Sequence, residues 1–270
     1  MKKGKYAKLF DLTGKTAVVT GGTGILGKCF CSGLAEFGAN VVVVDLDENT
    51  VQDFANELSA KYGIDAIGIA CDITSPLEVI QSIKEVVDTF GSIHILHNNA
   101  QGETASVAFE DCSLEQWRMT SSVNEEGYFL MAQAVGKQMI SQNLGGSIIQ
   151  TSSVYGIMGP DHRIYQNSSF RGKPMGTHAV YSFTKAGVVG LTKYLATYWA
   201  DKKIRVNTLT PGGVESGQNE IFKQQYSDRV PLRRMAKKEE LVGALIYLAS
   251  DASSYVTGQN IIVDGGLDAW

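Results

Sequence analysis

Short β-branched and aliphatic runs alternate along the chain with longer stretches in which apolar residues return every three to four positions. The runs predict strands at 17–19, 41–44, 66–70, 93–96, 147–151, 205–209 and 260–263. The periodic stretches near 25–37, 48–61, 76–89, 123–142, 178–200 and 237–249 are long enough for helices. Strands that are apolar on both sides belong in a parallel sheet covered on both faces, and strand–helix alternation builds such a sheet from crossover units. The expectation is an α/β fold: a Rossmann-type, doubly wound, seven-stranded parallel sheet with helices on both faces, formed by one domain over residues 1–270. Segments 156–177 and 212–235 fit neither template, and loops of that length in a compact domain tend to be functional.

Composition narrows the options. At 44% hydrophobic and 19% charged, a chain of 270 residues has a globular composition and buries roughly three quarters of its unfolded surface, so its core needs no disulfide or metal staple. Its formal charge of −4, from 24 basic and 28 acidic residues, gives no field for drawing in nucleic acid or anionic membrane. Cys29, Cys31, Cys71 and Cys112 form no C-x-x-C pair and behave as small apolar fillers, so no metal site is expected. Lys2, Lys3, Lys5 and Lys8 make the start basic, yet no apolar run of signal or membrane-spanning length follows. A soluble, cytoplasmic protein without nucleic-acid or membrane partners is expected.

The first strand runs into Thr20-Gly21-Gly22-Thr23-Gly24-Ile25-Leu26-Gly27 and then a helix. Glycines at such a turn let backbone approach a ligand closely, and free amides at a helix start suit a pyrophosphate. Asp45 closes the second strand 18 positions beyond Gly27, where a carboxylate can accept from both hydroxyls of an adenosine ribose. No Arg or Lys lies between Asp45 and Thr50, so a 2′-phosphate would meet like charge alone, which favours NAD over NADP. Asp72, after the third strand, is either within reach of an adenine amino group or a turn residue.

Tyr181 and Lys185 stand four apart on a predicted helix and hence share a face. A cation beside a phenol favours phenolate and lowers its pKa toward the range where protons can be exchanged with an alcohol. Tyr198 and Lys202 repeat the spacing, but lie at the far end of the same helix, so Tyr198 is expected to pack and Lys202 to be solvated.

These residues come in an order that resembles the short-chain dehydrogenase/reductase family over essentially the whole chain. The resemblance rests on the opening TG turn, Asp45, Asp72, Asn98-Asn99-Ala100, Asn124, Ser152-Ser153, Tyr181 with Lys185, Asn207 ahead of Pro211-Gly212, and Val256-Thr257-Gly258-Gln259 ending in Val263-Asp264-Gly265-Gly266. It implies that Tyr181 is the general acid/base, Ser153 holds the substrate oxygen, Lys185 binds nicotinamide ribose, and Asn124 holds a proton-relay water. Leu46, Ile73, Asn99 and Ala100 would line the cofactor, with Pro211, Gly212, Val214 and Ser216 beside the carboxamide and Gly213 beside the substrate. Asn98 would stabilise the sheet centre and Asn207 would turn the chain beyond the sixth strand. The C-terminal segment is similar to the one through which members associate, so a homotetramer, or a homodimer, is implied.

Three departures stand out. The turn glycines are Gly21, Gly24 and Gly27, the spacing of the family's extended branch, and Gln101 occupies the glycine position of the NNAG signature. Ser153 precedes Tyr181 by 28 residues, a wider gap than the family's usual one. Ser168 has the more usual spacing, but Ser153 directly follows an apolar strand and is preferred. The extra residues form an insertion bearing His162, Arg163, Tyr165, Asn167, Arg171, Lys173 and His178 against one acid, Asp161. Donors at a substrate mouth suit a hydroxylated, even anionic, ligand, with Arg163 and Tyr165 as substrate contacts. The expected activity is hydride transfer between nicotinamide and a secondary alcohol or ketone of a sugar, sugar acid or sugar derivative. Reduction of 3-oxoacyl thioesters and non-catalytic nucleotide sensing are the alternatives.

Overall fold

Val-rich segments of the chain lie side by side at the centre of the molecule with both faces covered, so that Val18, Val19 and Val41 to Val43 are without solvent exposure. The structure is a computed structural model describing residues 4–102 and 107–270. Its strands are β1 (Thr16–Thr20), β2 (Asn40–Asp45), β3 (Ala66–Ala70), β4 (Ile95–Asn98), β5 (Gly146–Thr151), β6 (Ser169–Phe170), β7 (Lys173–Pro174), β8 (Ile204–Pro211) and β9 (Asn260–Val263). Seven form one sheet in the order β3-β2-β1-β4-β5-β8-β9, parallel throughout. The expected doubly wound architecture is present. Two-residue β6 and β7 pair separately as an antiparallel hairpin inside the 156–177 insertion.

The helices are α1 (Ile25–Glu36), α2 (Glu48–Tyr62), α3 (Pro76–Phe90), α4 (Leu114–Ser121), α5 (Tyr128–Gln142), α6 (Ala179–Tyr198), α7 (Glu220–Ser227) and α8 (Val242–Ala249). Their starts obey local rules: Asp47 caps α2 through the Thr50 amide, Ser75 caps α3 with Pro76 at its first position, and Ser113 and Gln116 form a reciprocal capping box on α4. Helices α1, α2 and α8 cover one face, where Phe30, Phe54 and Leu245 join one core; α3, α5 and α6 cover the other with Val79, Met131 and Leu195. No helix among the described residues is long and apolar enough to cross a membrane.

Several expected elements are placed differently. Strand β4 begins at Ile95 rather than residue 93, and the predicted helix 123–142 divides into a π-helical turn, Ser122–Gly127, followed by α5. The 212–235 segment is not a loop throughout, since it contains α7. Asn207 lies inside β8, within the strand expected at 205–209; its side chain donates to the Val256 carbonyl at 2.9 Å and accepts from the Gln259 amide at 3.0 Å, tying down the chain that enters β9. Tyr198 does not pack internally: it is 64% exposed and stacks on Tyr194.

A third cluster, Val154, Ile164, Phe222, Tyr226, Val230, Met235 and Leu267, sits apart from the two sheet cores. It joins the insertion to α7 and the segment after it. Arg163 and Arg229 both pair with Asp161, which fastens the same two segments electrostatically.

Candidate active site

The strand order reverses between β1 and β4, and ligands of such sheets bind beyond the strand ends at that crevice. Here the crevice is a cleft of about 750 Å³ lined by Gly21, Gly24, Ile25, Leu26, Asp45, Leu46, Asp72, Ile73, Asn99 and Ala100. Gly21 has φ +62°, and a Cβ there would lie 2.8 Å from the Ala100 Cα. A Cβ on Gly27 would lie 1.9 Å from the Gly21 carbonyl oxygen. Gly21 is thus required by its left-handed backbone and the close approach of the chain after β4, and Gly27 by close packing of the turn on the start of α1. Gly24 caps α1 without any side chain bonding the first-turn amides, which leaves them facing the cleft as donors for an anion.

At the other end, Asp45 accepts from the Thr23 amide at 3.0 Å and its hydroxyl at 2.5 Å, and from the Leu46 amide at 2.9 Å. Thr23 therefore braces Asp45 rather than lining the cleft. A carboxylate offers about four lone-pair sites, so acceptor capacity remains. No Lys or Arg is among the residues lining this cleft. Asp72 bonds the Thr74 amide and hydroxyl as a turn residue while also lining the cleft. Turn glycines, uncapped helix amides and a distal carboxylate fit a dinucleotide, whose pyrophosphate α1 would hold and whose adenosine ribose Asp45 would hold.

Through Leu26, Asn99 and Gln101 the cleft meets a smaller cavity of about 290 Å³ that holds Ser153, Tyr165, Tyr181, Lys185, Pro211, Gly212, Gly213 and Val214. Ser153 ends the extended segment after β5, and Tyr181 and Lys185 project from the first two turns of α6. Burial holds the Tyr181 phenol above its usual pKa, and the neighbouring Ser153 side chain partly offsets that rise. Lys185 is 2% exposed, donates to the Thr151 main-chain oxygen at 3.0 Å, and has its ammonium 5.4 Å from the Tyr128 ring centroid and 5.8 Å from that of Tyr181. Desolvation brings its pKa down to about 7. The expected direction for the phenol is thus reversed in this structure, because both groups are withdrawn from water and the lysine's own charge is disfavoured.

Besides Thr23, three expected site residues line neither cavity. Arg163 is bidentate to Asp161 and its side chain is 81% exposed; its nearest acid consumes it. Ser216 donates its amide to Gln218 and accepts from that side chain. Asn124 is fully buried in the π-helical turn, accepting from the Gly102 amide at 3.0 Å and donating to the Thr184 hydroxyl at 3.1 Å. One donor and one acceptor position of its amide are thus spent on holding the π-helical turn to Gly102 and α6. Ser168, the rival serine, bonds the Ile164 carbonyl within the insertion. Gln101 stands at the junction of the cavities, and Gly102 makes the close approach to the Thr120 backbone. Asn98 bonds the Tyr128 carbonyl and Gln150 across the sheet centre as expected.

Sequence reasoning missed Tyr155, Gln218, Phe222, Tyr226 and Met235, all in the smaller cavity. The four-residue spacing of Phe222 and Tyr226 was the available signal.

A switch-point crevice shaped for a dinucleotide, ending at a cavity that holds a serine, a tyrosine and a lysine together, defines a nicotinamide-dependent oxidoreductase. Residues 23–268 match the family described as enoyl-(acyl carrier protein) reductase. The chain is 33% identical to a 3-oxoacyl-acyl-carrier-protein reductase of Aquifex aeolicus, over 95% of this chain and 98% of that protein. It is 32% identical to D-threitol dehydrogenase of Mycolicibacterium smegmatis, over 95% of this chain and 94% of that one. The crystal structure of a gluconate 5-dehydrogenase from Burkholderia cenocepacia, in complex with NADP and tartrate, has a TM-score of 0.86 at 31% identity, covering 97% of this chain and 98% of that one. The chain belongs to the short-chain dehydrogenase/reductase family.

Proposed function

We propose that this protein is an NAD-dependent dehydrogenase that oxidises a secondary alcohol of a carbohydrate-like substrate to the ketone. The reading rests on one observation above all: Ser153, Tyr181 and Lys185 converge in a cavity that opens into a cleft ending at Asp45. Ser153 donates to the substrate oxygen and positions it. As phenolate, a form the oxidised nicotinamide's positive charge favours, Tyr181 takes the hydroxyl proton as the carbon loses hydride, and the resulting phenol passes that proton on to solvent; reduction runs the same path in reverse. Lys185 bonds a ribose hydroxyl and lends its charge to Tyr181. When bound, the oxidised nicotinamide supplies the hydride acceptor and a further positive charge near the phenol. NAD is preferred over NADP because a 2′-phosphate at Asp45 would face a carboxylate with no cation lining the cleft.

The Aquifex relative supports a second reading, reduction of a 3-oxoacyl thioester. Incubation with NAD⁺ and a panel of polyols, sugars and sugar acids, beside NADH or NADPH with a 3-oxoacyl thioester, separates them. NADH formation that disappears in Tyr181→Phe supports the dehydrogenase; thioester reduction alone supports the second reading, and turnover surviving Tyr181→Phe refutes the assigned acid/base. We further infer a homotetramer, favoured by the exposed Phe183, Tyr194 and Tyr198 along α6, which sedimentation velocity tests. The four cysteines, all free, accord with a reducing, cytoplasmic setting.

A further inference from the structure

The smaller cavity has an unusual chemical lining. Beyond Tyr181 it carries three more phenols, Tyr155, Tyr165 and Tyr226, while its one charged residue is Lys185, already held by the Thr151 carbonyl. We propose that the substrate is a small uncharged polyol, a short run of hydroxylated carbons bearing neither carboxylate nor phosphate, and that Tyr155 and Tyr165 determine that specificity. This deepens the dehydrogenase reading and rests on it.

The geometry supports the assignment. Tyr165 comes from the insertion and donates its hydroxyl to that of Tyr155 at 2.9 Å; Tyr155 lies two residues beyond Ser153. Tyr155 is left with a donor of its own, and both oxygens retain acceptor capacity. Across the cavity, Tyr226 accepts from the Gly213 amide at 2.5 Å and keeps its proton free to donate. Its ring lies directly on Gly213, where a Cβ would come within 2.5 Å of the ring. Burial holds all three phenols above their ordinary pKa, Tyr165 at about 12, so they remain neutral at working pH. Hydroxyls able both to donate and to accept match vicinal hydroxyls of a polyol, and Phe222 and Met235 supply apolar wall for its carbon chain.

An anionic substrate fares worse. Moving a carboxylate or phosphate out of water requires a partner charge. The insertion's cations do not provide one: Arg163 is taken by Asp161, Arg171 lies over the Phe170 ring, and Lys173 is exposed at the hairpin. The volume of about 290 Å³ lies at the small end of ligand pockets, which run ~300–1,000 Å³.

The test compares kcat/KM with NAD⁺ for neutral polyols of four to six carbons, the matching aldonates and the phosphorylated polyols. The best neutral polyol is expected to exceed every anionic compound at least tenfold. Tyr165→Phe and Tyr155→Phe, both with melting temperatures near that of the parent, are expected to raise KM for that polyol about three- to tenfold, the loss of one neutral hydrogen bond, with kcat changed far less. An aldonate or phosphate ester used as well as or better than the polyols overturns the inference while leaving the dehydrogenase standing, all the more so if Arg163→Ala removes that preference. An unchanged KM in both tyrosine variants overturns their role. No NADH from any alcohol, with thioester reduction present, instead refutes the reading beneath.

Discussion

The ammonium of Lys185 sits 3.0 Å from the main-chain oxygen of Thr151, and the hydroxyl of Tyr128 donates to that same oxygen at 3.2 Å. One carbonyl at the end of β5 therefore fixes the buried cation, and the Thr151 side chain is itself bonded to His97 at 2.8 Å. Two buried bases, one on each side of this residue, shape how stability depends on pH.

Lys185 titrates at about 7 in the folded chain against an ordinary 10.5. Between these values the unfolded chain binds the extra proton, so stability rises with pH across that window; the penalty is complete below 7 and absent above 10.5. Lys185→Met is expected to be more stable than the parent below pH 7, by on the order of a few kcal/mol less the lost hydrogen bond, with the gap shrinking toward pH 10. Urea titrations at pH 6 and pH 9.5 measure it; a pH-independent gap contradicts the burial argument. The same variant is expected to lose almost all oxidation.

His97 is fully buried with an unpartnered Nδ1, lies edge-on to Phe30, and is held neutral down to about pH 3. Its ordinary value is 6.5, so the unfolded chain takes up a proton first as pH falls. Stability due to this site is intact above 6.5 and drains away toward 3. A His97→Leu, Thr151→Val double variant, apolar on both sides of the pair, is expected to show a shallower fall between pH 6.5 and 4 than the parent, by about 1–3 kcal/mol at pH 4. Parallel denaturation curves at pH 7 and pH 4 decide the matter, and equal slopes count against it.

Asp45 offers a different handle. Its carboxylate is oriented by Thr23 and Leu46, and no cation lines the cleft beside it. Asp45→Asn halves its acceptor capacity and removes its charge. A charged hydrogen bond contributes roughly 1.5–3 kcal/mol, so KM for NAD⁺ is expected to rise about ten- to hundredfold while that for NADP⁺ falls or stays level. Steady-state kinetics with both cofactors checks this; a parallel rise for both would mean the substitution had merely loosened the turn.

Much of this was legible before any coordinates. Val41 to Val44 and Ile148 to Ile149 declare buried parallel strands because both their faces are apolar, and Asp45, Ser153, Tyr181 and Lys185 lie where strand ends and the start of α6 put them. What escaped notice has physical causes. Helix α7 buries only Phe222 and Tyr226 among eight residues, a single four-residue spacing that does not by itself define a helix, and α4 buries only Thr120. Arg163 was expected at the substrate because cations cluster in the insertion, yet Asp161, two residues away, claims it. The pKa of Tyr181 could not be read from spacing, since desolvation of the pair depends on Tyr128 and the insertion closing around it.

The glycine turn gives the sharpest structural prediction. A methyl on Gly27 would be driven to 1.9 Å from the Gly21 carbonyl oxygen, with the Gly22 backbone 2.9 Å away, and none of these atoms belongs to a flexible side chain. On Gly24 the nearest atom stands at 3.2 Å, a contact that a small shift relieves. Gly27→Ala must therefore push α1 away from β1 or distort the turn, at a cost above the usual ~1–3 kcal/mol of overpacking, while Gly24→Ala stays near or below the low end of that range. Because the displaced amides are those aimed into the cleft, Gly27→Ala is also expected to weaken NAD⁺ binding by more than tenfold in calorimetry, and Gly24→Ala by less. Equal melting temperatures for the two variants would show that the turn has slack the structure does not provide.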